Sequence, residues 1–394
     1  MSRILILLLL LSVQSLWAQD LSPDSKISVI TCGVGEELYS VFGHTSLRIQ
    51  DSTLKIDQVF DYGTFDFSTP NFYLKFIRGK LNYALSTRPF KHFRRAYELE
   101  DRSLLAQELD LSLEERQRIL DNLKENFLEE NRFYKYDFFL DNCVSRQITL
   151  LKKSWGAAWE LDPNLIAQLP TYRESLQPYL YDKPWARFGI NLILGVPADR
   201  KPKRFEEVFL PDQMKLLLEE VQRSDGQKLV MDERIIRPEL LSNSIGLYQI
   251  LPLLICTLLL IFGLLLGFIE YRMKKYFRLF DVLLFSVVGL AGWLFLTMWL
   301  LTDHRATHAN LNLLWSIPLH LFFGLGLLRK KTRPYRLPYI KVSLLCSLIP
   351  LVFYVFLPQQ LPLAAIPLVL LLAFRLSLLH KKFRVASKSL QVSA

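Results

Sequence analysis

The sequence predicts an α+β domain exported across a membrane, followed by an all-α transmembrane domain of about five helices. Three observations carry that prediction. The first is the start of the chain: a basic residue, Arg3, then an apolar run over 4–11, then the small residue Ala18 before Gln19. This is the layout of a signal peptide cut after Ala18. Leu16 at the −3 position fits less well than alanine would, which leaves an uncleaved anchor as the alternative. The second is the concentration of long apolar runs beyond about residue 246, after a stretch of ordinary mixed composition. The third is charge. Residues 270–394 hold 16 Lys/Arg against 3 Asp/Glu, whereas the preceding 269 hold 32 against 35. The net charge of +10 therefore belongs to the apolar half, where it reports membrane topology and not nucleic-acid binding.

Within the exported part, 28–32 is a short apolar strand and Gly33 to Glu36 a turn. The run 41–49 reads as a strand whose alternation puts Phe42, His44, Ser46 and Arg48 on one face and Leu47 and Ile49 on the other. A strand over 58–65 follows the polar turn at Asp51-Ser52, so the two are expected to pair as a hairpin. Residues 71–78 look helical and 81–86 extended. Ser112 and Glu115 form a capping box that opens an amphipathic helix carrying Ile119, Leu123 and Phe127 on one face. An aromatic, extended run over 133–140 then leads to Cys143. Val144, Ile148 and Leu151 recur at helical spacing, so Cys143 stands in the first turn of a helix capped by Asp141 or Asn142. Residues 152–240 are broken by eight prolines and carry no motif; the apolar stretch 185–196 reads as core or as a segment at the membrane surface.

The apolar half suggests spans near 246–268, 281–301, 313–328, 339–357 and 361–379. Three connecting segments are strongly basic: around Arg272 to Lys275, Arg329 to Arg336, and Lys381 to Arg384. The alternate loops are not, 302–312 having one Arg and 358–362 no charge. By the positive-inside rule the basic segments are cytoplasmic. The expected division is a signal peptide at 1–18, a periplasmic Cys/His domain at 19–240, a transmembrane domain at 241–380 and a cytoplasmic tail at 381–394. The protein is then multi-pass in a bacterial inner membrane.

The chemistry centres on Cys143 and His44. The N–H groups at a helix start favour a thiolate, and the thiolate is the nucleophile. His44 is the candidate base, and Asp61 and Tyr39 are the candidates for the group that orients it. Four cysteines are too few for a disulfide scaffold. Cys32 is read as a free structural thiol, with a bridge to Cys143 as the alternative. A buried, inert Cys143 beside a core His44 is the bland reading of the pair.

Histidine on a strand before cysteine at a helix start is the order of circularly permuted papain-like enzymes. Those of the lecithin:retinol acyltransferase type carry an Asn-Cys pair like Asn142-Cys143. A more specific likeness rests on Thr31-Cys32-Gly33-Val34-Gly35, Tyr39-Ser40-Val41-Phe42-Gly43-His44-Thr45, Asp61-Tyr62-Gly63-Thr64-Phe65, Arg78-Gly79-Lys80-Leu81 and Asp141-Asn142-Cys143. His304 to Trp315 in the apolar half completes it. Together these resemble the Lnb type of bacterial lipoprotein N-acyltransferase over nearly the whole chain. Val34 departs from the expected proline, at a turn position remote from chemistry. The resemblance implies that Cys143, activated by His44, takes an acyl chain from a membrane glycerophospholipid as a thioester. It would pass the chain to the α-amine of a diacylglyceryl-cysteine at a lipoprotein N-terminus. No cofactor and no metal is implied.

Arg48, Asn142, His304, His308, Asn310 and Asn312 are the candidate substrate contacts. The four in 304–312 are expected because polar groups at a bilayer surface need partners. The spacing of His304 and His308 would also suit a metal pair on a helix, with Asp303 as the candidate third ligand, although adjacent residues on a helix face apart. The rival activities are a membrane-anchored cell-wall peptidase or amidase using the same pair, and a non-enzymatic scaffold. The donor lipid, the acyl chain and the oligomeric state are not legible.

Overall fold

The computed structural model describes residues 20–156, 159–223, 225–238, 247–329 and 336–392, the last with side chains to Val385. The signal-peptide segment 1–18 lies outside the described residues. In chain order the first elements are β1 (Lys26–Cys32), β2 (His44–Asp51), β3 (Ile56–Thr64), α1 (Phe72–Ile77), β4 (Asn82–Pro89) and α2 (Phe90–Leu99). Then follow β5 (Leu104–Leu109), α3 (Leu113–Phe127), β6 (Phe133–Lys135), α4 (Cys143–Trp155), β7 (Trp159–Glu160), α5 (Pro163–Gln168), α6 (Tyr172–Leu176) and α7 (Pro184–Ile193). The remainder is α8 (Pro211–Leu218), β8 (Gln222–Arg223), β9 (Val230–Arg237), α9 (Leu251–Met273), α10 (Arg278–Leu300), α11 (His320–Gly326), α12 (Arg336–Val352) and α13 (Ala365–Val392).

The chain divides into two compact units, one of 1–170 with 201–243 and one of 171–200 with 244–394. The first is built on a seven-stranded sheet in the order β6-β4-β3-β2-β1-β5-β9, with every pairing antiparallel. The expected hairpin forms, pairing Leu47 with Phe60 and Asp51 with Ile56. Alternation on β2 sorts its side chains as the pattern requires. Leu47 and Ile49 join a core with Ile119 and Leu123 of α3 and Val144 and Ile148 of α4. The opposite face packs Ile30, Cys32 and Val59 against Phe90, Phe93 and Tyr97 of α2. The sheet is thus sandwiched between helices. The His44 strand is shorter than expected, because Val41 to Gly43 form a turn and Gly43 takes φ +73°, closed to most side chains.

The second unit is helical. Among the described residues, two helical stretches, Tyr248–Met273 and Arg278–Leu300, are long and apolar enough to cross a membrane. The third expected span is not a continuous helix: a 3-10 turn at Leu311–Leu314, a break before Pro318 and the short α11 replace it. Proline has no N–H to continue a helix, and the Ser316 hydroxyl bonds across to the Val288 carbonyl of α10. The fourth is α12, with Pro350 inside it, and the fifth, expected from 361, becomes helical only at Ala365, where the 28-residue α13 begins.

Residues 171–200, expected within the exported domain, cluster instead with this second unit. The reason is a polar latch. Arg173, 2 % exposed, pairs with Asp199 and donates to the carbonyls of Asn191, Leu194 and Gly195. From the apolar half, Asn310 Nδ2 reaches the Leu192 and Ile193 carbonyls at 2.7 and 2.9 Å, and Gln359 Nε2 reaches Leu194 O at 3.1 Å. The last carbonyls of α7, which no turn of its own helix can satisfy, are taken up in this way. Gly195 N donates to Ala306 O at 2.9 Å, and a Cβ at Gly195 would run into the His308 carbonyl.

Candidate functional site

The nucleophile position is built by its cap. Asn142 Oδ1 accepts from the N–H groups of Val144 and Ser145, both at 2.9 Å, and Asn142 N donates in return to Ser145 Oγ. The Asn142 amide also donates to the Phe138 and Phe209 carbonyls at 3.0 and 2.7 Å. Its polar atoms are therefore committed beneath the helix start, where they fix Cys143 as the first residue of α4. Asp141, the other candidate cap, instead holds Arg146 through two bonds of 2.6 and 2.9 Å. That guanidinium lies 3.4 Å above the Tyr134 ring, bracing the turn before the cysteine.

His44 opens β2. Its Nε2 lies 3.2 Å from Asp61 Oδ1 on the paired strand β3, and Cys143 is its other hydrogen-bonding neighbour. Asp61 is fully buried and gathers three partners. Ser46 Oγ donates to Oδ1, and Arg88 donates to Oδ2 from Nε and Nη2 at 3.2 and 2.8 Å. Burial alone would raise this carboxyl, but His44, Arg88 and Ser46 hold it below its ordinary value. Burial likewise opposes a charge on His44. Cys143 and the bond to Asp61 outweigh it and push the imidazole up to about 10. The site thus sets a histidine with a raised pKa beside Cys143, steadied by a buried carboxylate.

One further contact sets the spacing between nucleophile and histidine. Gln147, one turn into α4 and fully buried, donates to Thr45 O at 2.6 Å and accepts from Thr45 Oγ1 at 3.3 Å. It ties the cysteine helix to the residue beside His44. The wall around Cys143 is aromatic. A Cβ built on Gly63 would stand 3.4 Å from the Tyr136 ring, 3.8 Å from the Tyr134 hydroxyl and 3.9 Å from Cys143 Cβ. That Tyr134 hydroxyl is buried with no hydrogen-bond partner among the described residues.

The structure brings Cys143, His44 and Asp61 together. Of the two proposed orienting groups, Asp61 takes the position. Tyr39 is exposed and sits edge-on to Phe65 and Phe67. Arg48 shares the His44 face but is spent on a two-bond pair with Asp57, at 2.7 and 2.9 Å, over the Phe90 ring. Asn310 and Asn312 belong to the second unit, where both bind the Leu192 carbonyl and Asn312 accepts from Trp315 Nε1. His304 and His308 flank a single 3-10 turn, Arg305–Thr307, and so do not share a helical face. Sequence reasoning missed Ser46, Arg88 and Gln147. Only Ser46 carried a signal, two residues beyond His44 on the same strand face. Cys32, a free thiol like Cys143, pairs with His44 across β1 and β2; burial pushes its thiol well above the ordinary range, against a hydrogen bond from Tyr97.

An antiparallel α+β domain that gathers Cys143, His44 and Asp61, joined to a helical unit with long apolar helices, describes a membrane-associated protein. The family model for the Lnb N-terminal periplasmic domain matches residues 14–177, and that for the Lnb transmembrane domain matches residues 243–384. Between them they span most of the chain, which belongs to the Lnb family: a membrane protein with an N-terminal periplasmic domain. No curated protein and no solved structure matches it.

Proposed function

We propose that this protein N-acylates the N-terminal diacylglyceryl-cysteine of lipoproteins, taking the acyl chain from a membrane glycerophospholipid through a Cys143 thioester. The observation that carries the reading is the ordered cluster in which Cys143, first in a capped helix, meets a histidine whose far nitrogen is held by a buried aspartate. The Cys143 thiolate attacks the ester carbonyl of the lipid. The oxyanion that forms lies at the N-terminus of α4, where helix N–H groups favour negative charge. Collapse breaks the ester C–O bond, and His44 gives its proton to the departing lysophospholipid alkoxide. The neutral lipoprotein α-amine then attacks the thioester, His44 takes the amine proton, and Cys143 leaves as thiolate.

His44 and Asp61 on neighbouring strands, preceding Cys143 on a helix, give the site the order of a circularly permuted papain-like enzyme. The basic segments around Arg272, Arg329 and Lys381 support a bacterial inner-membrane location with those segments cytoplasmic. The test is intact mass spectrometry of the full chain after incubation with phospholipid vesicles. The expected result is one acyl adduct, mapped to Cys143, that an added diacylated lipopeptide discharges, and no adduct in Cys143→Ala. A chain that takes no acyl group from lipid yet cleaves peptidoglycan peptides would overturn the reading in favour of a peptidase.

A further inference from the structure

α1 is unlike any other helix of the first unit. Its sequence, Phe72-Tyr73-Leu74-Lys75-Phe76-Ile77, is almost wholly apolar, yet only Phe72 is buried. Tyr73 is 74 % exposed, Leu74 57 % and Ile77 54 %, and Phe67 on the preceding turn is 60 %. A folded chain does not hold so much contiguous apolar surface in water without a use for it. Charge indicates what covers it. From Phe67 to Leu81 there is no acidic residue, while Lys75, Arg78 and Lys80 stand among the apolar side chains. Aromatic and aliphatic groups interleaved with cations suit an anionic bilayer surface, where rings enter the headgroup region and cations meet phosphates.

The patch is also continuous with the nucleophile. Phe76 and Phe67 contact the Phe72 ring, with centroids 6.1 and 4.8 Å apart, and Phe72 contacts Phe65 at 5.7 Å. Phe65 meets Tyr83 edge-on at 5.4 Å, and Tyr83 stacks on Tyr136 at 4.5 Å. Tyr136 is the ring beside Gly63 and Cys143. An unbroken file of aromatic rings therefore runs from the exposed helix to the thiol.

We propose that α1 and the Phe67 turn insert into the anionic surface of a lipid bilayer, and that the aromatic file behind them guides a lipid acyl chain to Cys143. The inference deepens the acyl-transfer reading and rests on it for the guiding step, while insertion stands by itself. Two measurements on the full chain in phosphatidylethanolamine–phosphatidylglycerol vesicles test it. In the first, a bimane fluorophore is placed by Leu74→Cys or Glu114→Cys in a Cys143→Ala, Cys346→Ala background; Glu114, on α3, has a highly exposed side chain. Lipids brominated in their acyl chains are expected to quench the probe at 74 several-fold more than at 114. Equal quenching, or a probe at 74 shielded from water without bromolipid quenching, as a protein partner would give, overturns insertion.

In the second, Leu74→Asp with Ile77→Asp is compared with the parent for Cys143 acylation by vesicle phospholipid and by the water-soluble ester p-nitrophenyl butyrate. At least a tenfold loss is expected with the vesicle donor, and a rate within twofold of the parent with the soluble one. Full activity on vesicles, or equal loss on both donors, overturns the guiding role. A parent acylated by neither donor would refute the acyl-transfer reading and leave the quenching result to decide insertion.

Discussion

Asp61→Asn isolates the charge of the buried carboxylate from its geometry. All the partners of Asp61 are donors: His44 and Ser46 on Oδ1, Arg88 on Oδ2. An asparagine can therefore serve only one side with its oxygen. Arg88 is 40 % exposed and can turn to water, whereas Ser46 is fully buried, so the oxygen will stay with His44 and Ser46. The imidazole keeps its orientation and loses the negative charge 3.2 Å away. A carboxylate at such range moves a neighbouring pKa by about 1–3 units. At about 1.4 kcal/mol per unit, the imidazolium loses about 1.4–4 kcal/mol of support, or about 10- to 10³-fold in its population at alkaline pH. Complete burial of Asp61 favours the upper part of that range.

The assay is single-turnover acylation of Cys143 by vesicle lipid, followed by intact mass across pH. In the parent, the proton that His44 delivers to the leaving alkoxide is present until pH approaches about 10. Asp61→Asn should bring that alkaline limb down to between about 7 and 9. Stability follows the same sign. The folded pKa of His44 is raised above its ordinary 6.5. Its ion pair thus stabilises the fold fully below about pH 6.5, and that contribution is lost as pH rises through about 10. Asp61 runs oppositely: its lowered pKa contributes above its ordinary 3.8 and is lost as pH falls below it. An Asp61→Asn protein with the parental limb and rate would refute the claim that Asp61 sustains the imidazolium.

Cys32→Ser should keep acylation within about twofold, since Cys32 is a buried partner of Tyr97 and not a nucleophile; thermal melts should show a loss of about 1 kcal/mol. Arg375→Met should cost about 3–5 kcal/mol, because it strands Asp281 and Glu270, which Arg375 bridges at 2.6–3.1 Å; the readouts are membrane abundance and melting temperature. Asn310→Leu should lower membrane abundance and cost about 1–3 kcal/mol per stranded carbonyl, while acylation per folded molecule stays near the parental rate. A fall in that specific rate at unchanged stability would restore this loop to substrate contact.

The fold of the first unit was legible wherever local pattern and tertiary packing agree. Strand alternation on β2, the Ser112–Glu115 box and the spacing of Val144, Ile148 and Leu151 each describe a surface that ends up against a neighbour. The position of Cys143 followed from the same logic, because a cap residue before an apolar period marks a helix start. Arg88 and Gln147 were not legible. Each acts across the sheet or between helix and strand, at 27 residues from Asp61 and 102 from Thr45. Nothing local distinguishes an arginine aimed at a buried carboxylate from one that faces only water. The fate of 171–200 was hidden likewise, since Arg173 and Asp199 acquire meaning only when the Leu192–Gly195 carbonyls need donors.

The asparagines show why polar residues near apolar segments over-predict binding. Asn142, Asn310 and Asn312 all attracted attention as groups that a ligand could use. Each instead answers a demand of the backbone: Asn142 satisfies the first N–H groups of α4, and the other two the last carbonyls of α7. Helix ends leave such groups without partners in every fold, and the need sharpens where apolar packing keeps water away. An amide side chain beside a helix end is therefore spoken for before any substrate arrives. A charged or ionisable group such as Asp61 or His44 differs, because no backbone group requires a full charge. Its burial is a cost that packing alone does not repay, and in this chain that cost falls where a carboxylate holds an imidazole beside Cys143.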